Sequence, residues 1–135
     1  REPAARARSV YARGGLDDAF TRSLAHGARL FATGEFFAAH EAWEERWRVA
    51  EDPGERRALQ GLIQVAAGFH KLLVMGNPAS AVRLLERGLA KLEAGRGVGF
   101  DRAGFCAGVR ACARAIAAGR FDAADIPRIE LDAPR

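Results

Sequence analysis

Three glycines, Gly34, Gly76 and Gly119, stand 42 and 43 residues apart, each opening a segment fit to start a helix: GEFFAAH, GNPASAV and GRFDAAD. Between these breaks apolar residues recur every three or four positions, and no alternating β-branched run appears. That period is the helical one, so the chain is confined to an all-α fold punctuated by glycine and proline. A first helix is expected over residues 17 to about 33, capped by Asp17, with Phe20, Leu24, Ala28 and Phe31 inward. A second is expected over about 35 to 50. Asp52-Pro53-Gly54-Glu55 supplies a cap, a first-turn proline and a capping-box carboxylate for a third. This third helix, to about residue 75, turns Leu59, Leu62, Ile63, Ala66, Phe69 and Leu73 inward. Pro78 opens a fourth helix with Val82, Leu85, Leu89 and Leu92 inside. Residues 95–99 form a loop, and Asp101 starts a fifth helix that buries Phe105, Val109, Cys112 and Ile116. Gly61, Gly68 and Gly88 read as a ridge for close helix–helix packing.

Repeated helix–glycine–helix hairpins resemble a solenoid, but fewer than three full units are present, and stacked repeats need about three to hold. The expected architecture is therefore a single-domain bundle of five to six short helices with repeat-like hairpin connections. Residues 1–15 are expected to form a basic, flexible arm, 16–120 the bundle and 121–135 an irregular C-terminal strap.

At 135 residues one domain is expected. Apolar stretches such as residues 65–69 are far too short to cross a bilayer, so no membrane role is expected. A pI near 9.8 suggests nucleic acid, yet of the net +4 charge the first thirteen residues alone carry +3. The remainder is near neutral, and no aromatic is interleaved with its basic pairs, which argues against a nucleic-acid surface. Arg56-Arg57, Arg83/Arg87 and Arg110/Arg114 read as solvated faces. The nineteen arginines against two lysines look like the composition of a GC-rich genome. Cys106 and Cys112 fit no CxxC pattern, and a reduced, cytoplasmic protein follows as the default. The N-terminus has no apolar h-region, so a secretory signal is not expected, and its non-Met start reads as trimmed or incomplete.

Both tryptophans fall in one segment, His40-Glu41-Ala42-Trp43-Glu44-Glu45-Arg46-Trp47. His40, Trp43, Glu44 and Trp47 share one face of a helix. Ionisable groups inside an aromatic stripe must be paired, ligated or catalytic when removed from water. His40 and Glu44 could hydrogen-bond, with Glu44 orienting His40 as a base, or could ligate one divalent cation. His70, pointing inward from the third helix, would be a third ligand. Such a His/Glu/His set would suit zinc, manganese or iron and activate water. Trp43 and Trp47 would wall the pocket, while Glu41 and Gln64 would hold ligand. In a competing structural reading, His40 and Glu44 form a self-satisfied pair, Glu44 pairs with Arg48 four residues on, and both tryptophans are core. His26 reads as solvated. The sequence contains no HExxH, no Gly-rich phosphate loop and no GxSxG elbow.

These residues resemble the prokaryotic family called domain of unknown function 309, whose hallmark is His-x-x-x-Glu-x-x-Trp, here His40, Glu44 and Trp47. Gly34 to Glu41, Gln60 to Gln64, His70, Gly76-Asn77 and Leu84 to Leu92 are similar to that family as well. The resemblance covers residues 20 to 95 and implies a single-domain all-α fold with a functional motif, but no reaction. Two functional readings lead, ahead of a third in which the basic arm of residues 1–13 binds nucleic acid. In one, a small ligand or a divalent metal sits between the second and third helices, with hydrolysis or proton transfer if the protein is an enzyme. In the other, a repeat-like scaffold binds a protein partner and the motif is structural. A homo-oligomer is compatible with both.

Overall fold

Five α-helices follow one another in a computed structural model that describes residues 18–95 and 99–133. They are α1 (Asp18–Ala32), α2 (Phe36–Trp47), α3 (Pro53–Leu73), α4 (Pro78–Ala94) and α5 (Arg102–Ala117). A 3-10 turn (Ala123–Asp125) and an extended strap complete the described chain. Among the described residues there is no strand, only one antiparallel bridge between Phe100 and Leu131. The expected basic arm, the Asp17 cap and residues 96–98 of the expected loop lie outside the described residues.

Local chemistry sets the helix ends. Asp52 accepts the Glu55 N–H at 2.9 Å, Asn77 the Ser80 N–H at 3.1 Å, and Asp101 the Gly104 N–H at 3.0 Å. Each thereby satisfies an amide that a helix start leaves without a partner. Gly34, Gly76 and Gly119 adopt φ values of 82°, 61° and 73°, a left-handed conformation that side chains disfavour. They close α1, α3 and α5, so the regularity in the sequence is one helix stop used three times. The other two helices end differently. Arg56, in the first turn of α3, donates from Nη1 to the carbonyls of Trp47 and Ala50, at 2.8 and 2.9 Å. Arg102, the first residue of α5, donates to the Leu92 carbonyl at 2.8 Å and so holds the end of α4.

Each helix packs chiefly on its neighbours in the chain. The α3–α4 pair approaches most closely: a Cβ on Gly88 would stand 2.7 Å from the Gly61 carbonyl oxygen, so only glycine permits this crossing. Phe31 then joins the first helix to the last. Its ring meets Phe36 at 5.0 Å, Trp43 at 6.1 Å, Phe69 at 6.0 Å and Phe105 at 5.7 Å. Contact between α1 and α5 makes this a closed bundle. The strap runs back over α5, fixed by hydrogen bonds from Asp101 N–H to Glu130 and from Asp132 N–H to Gly99, both 2.8 Å. Ile129 is buried beneath it.

Three expected core positions differ. Leu73 is exposed, because Phe36 at the start of α2 already meets Phe69 at 5.5 Å and the last turn of α3 overhangs. Ile63 and Val82 are half-buried and pack on the margin of the core, whereas Val65, absent from the expected core, is fully buried. Among the described residues no helix is long and apolar enough to cross a membrane.

Candidate functional site

The site is built on α2, whose faces the fold divides sharply. Trp43 is 0 % exposed and lies against Phe31 and the backbone of α1, where a Cβ on Gly27 would fall inside the indole ring. It has no surface to offer a ligand. Trp43, the expected wall of a pocket, lies in the core, and among the described residues its indole N–H has no hydrogen-bond partner.

His40, one turn earlier, is half-buried. Its ring stacks on Phe37 with centroids 5.7 Å apart and planes 21° apart. His70 of α3 also meets Phe37, at 5.2 Å. The structure thus brings the two expected histidines to one aromatic side chain, which the sequence reading passed over. Phe37 stands three residues before His40, one helical turn away, and that spacing was the available signal. Phe37 is 51 % exposed, so this junction faces solvent.

Glu44 does not complete the arrangement. Its carboxylate accepts from Arg48 at 3.4 Å, the i,i+4 surface pair of the structural reading. Nδ1 of His40 is buried and, among the described residues, makes no hydrogen bond to Glu44 or to any other group. A histidine acting as general base is held in one tautomer by a partner on its second nitrogen, and that partner is missing here. Glu41 is exposed on the same helix. Among the described residues no three of His, Cys, Asp or Glu come together as a metal-holding group. The expected set of His40, Glu44 and His70 for zinc, manganese or iron is not assembled, because Glu44 is turned to Arg48 and the imidazoles pack on a phenyl ring.

Trp47 and Gln64 belong to the far end of the helix pair. Trp47 lies under the guanidinium of Arg56, 4.4 Å from its ring centroid, and Gln64 Oε1 accepts from Lys91 Nζ of α4 at 2.9 Å. Between α2 and α3, Arg46 forms an ion pair with Glu55 at 2.8 Å, a carboxylate only 6 % exposed. This pair fixes the register of the two helices without taking part in the aromatic junction.

Fold and site together define a small all-α bundle whose surface carries an aromatic–imidazole junction between its second and third helices. Residues 24–84 match the model of a family described only as a domain of unknown function, DUF309. The match begins in α1, takes in the whole of α2 and α3 with every residue of the junction, and ends in α4. This is the family that the His40/Glu44/Trp47 spacing resembles, and its description assigns no reaction. No curated protein gives a significant match.

Proposed function

We propose that this protein is a helical interaction module and that its contact face is the α2–α3 junction around Phe37, His40 and His70. One observation supports the reading most: Phe37 stays half in water while packing on two imidazoles, beside a continuous apolar end of α3. His70, Leu73 and Val74 share one helical face, and Leu73, Val74 and Met75 are all exposed. Grouped exposed apolar side chains cost free energy in water and gain about 25 cal/mol for each Å² a partner covers. Two imidazoles at the edge of that patch add hydrogen bonds that select among apolar partners. The partner chemistry that fits is a protein segment presenting an aliphatic or aromatic side chain next to a polar group.

Chemistry at this face is less well supported, because Nδ1 of His40 lacks an orienting partner and Glu44 serves Arg48. Replacing Phe37 by a photo-crosslinking aromatic in living cells tests the reading. The expected result is a discrete adduct with one protein, lost on Val74→Glu and on His40→Ala while the melting temperature is unchanged. Adducts that both substitutions leave intact, or none at all, overturn it.

A further inference from the structure

The other end of the α2–α3 pair, about 15 Å from Phe37 at 1.5 Å per helical residue, carries a second surface feature. There the end of α2, the first turns of α3 and the flank of α4 enclose an open cleft of about 570 Å³. Its lining includes Trp47, Glu51, Arg56, Arg57, Gln60 and Lys91.

The charges in this cleft are handled differently from those nearby. Arg46, Arg48 and Arg110 each meet a carboxylate: Glu55, Glu44 and Glu93. In the cleft the partners are neutral. Arg56 donates to two backbone carbonyls and stacks on Trp47, and Lys91 donates to the Gln64 amide oxygen. Such bonds fix a cation in place and leave its charge uncompensated. Arg57 is exposed and joins no carboxylate among the described residues, and Glu51 is the single acid in the lining. Three cations against one carboxylate, two of them pinned by neutral acceptors, make a preorganised positive site.

The geometry points to a binding site for a compact phosphate-bearing anion, with Lys91 and Arg57 as charge partners and Arg56 and Gln60 as further donors. The volume lies within the roughly 300–1,000 Å³ of small-ligand sites. Guanidinium groups match the paired oxygens of a phosphate. A nucleic-acid strand fits less well, because binding a strand uses open aromatic faces for base stacking and Arg56 already occupies a face of Trp47.

The test is an amide NMR titration of the full chain with inorganic pyrophosphate, repeated with a nucleoside diphosphate and with a short single-stranded RNA. The expected result is saturable shifts around Trp47, Arg56, Gln60 and Lys91, with Kd raised about tenfold by Lys91→Gln and by Arg57→Gln. Tighter binding of the nucleoside diphosphate would identify an organic phosphate as the ligand, and equal binding a free one; both support the site. Absence of saturable shifts, or shifts that both substitutions leave unchanged, overturns it, as does RNA binding far tighter than either diphosphate. Among the described residues the Arg57 side chain makes no hydrogen bond to lose, so its variant keeps the test decisive if Lys91→Gln unfolds. Phe37→Glu should leave this titration unaffected, which separates it from the proposed interaction face.

Discussion

Gly27 and Trp43 show how one small residue decides the fate of a large one. Helix propensity favours alanine over glycine by about 1 kcal/mol in a helix interior. Position 27 should nonetheless lose stability on Gly27→Ala, by about 1–3 kcal/mol, because the new methyl overlaps an indole that has nowhere to move. Chemical denaturation measures the difference; a gain in stability would show that the indole is free to shift. The thiols give a second prediction at this scale. Burial, reinforced by Asp125, pushes Cys112 up to about 11 from an ordinary 9.0, and burial also raises Cys106 against the pull of Arg102. Cys112 Sγ donates to the Asp125 carbonyl at 3.5 Å. The folded chain thus favours the protonated thiol. Its contribution to stability is complete below the unfolded value and is lost as pH rises from about 9 toward 11. Cys112→Ala should flatten that part of the stability–pH curve, read by denaturation at several pH values. A curve identical to that of the parent chain would remove Cys112 as the cause.

At the scale of helices, Arg56 and Arg102 perform the same task one hairpin apart, each reaching back from the start of an odd-numbered helix to the end of the one before. Arg56→Ala and Arg102→Ala should each cost about 1–2 kcal/mol, since each strands buried or half-buried carbonyls. The double variant should show the sum, because the two sites share no partner; thermal melts of the three variants check both statements. How much of this was readable in the sequence follows from how local each signal is. Asp52, Asn77 and Asp101 cap helices through residues three positions away, and Gly34, Gly76 and Gly119 stop them within one turn, so the elements were legible. The arginine caps span six to ten residues, so Arg56 reads in the sequence only as solvated charge and Arg102 carries no signal at all. Leu73 obeyed the periodicity and still faced water, because a period names a face and says nothing of where the neighbouring helix begins. The site was legible only in part for the same reason. The sequence sets His40 on the aromatic stripe and turns His70 inward, but the Phe37 ring that unites them, the Gly27 backbone that claims Trp43, and the cleft shared by Arg57 and Lys91 all depend on pairings between helices.

For the whole molecule, Phe31 of α1 touches α2, α3 and α5 at once, so Phe31→Ala should cost about 3–5 kcal/mol. Its unfolding should remain a single transition by far-UV and near-UV dichroism; two separated transitions would mean that the hairpins are independent units. The order of packing also sets a clock. Most contacts join helices adjacent in the chain, and chains of that kind collapse into place in microseconds to milliseconds because each step closes only a short loop. The Phe31–Phe105 contact joins the first helix to the last and closes a far longer loop than the contacts between neighbouring helices, so it should form after the rate-limiting step. Phe105→Leu should then speed unfolding in stopped-flow measurements while leaving the refolding rate nearly unchanged. The aromatic seam that shuts the bundle would be the last part of the molecule to assemble and the part that governs how long it stays folded.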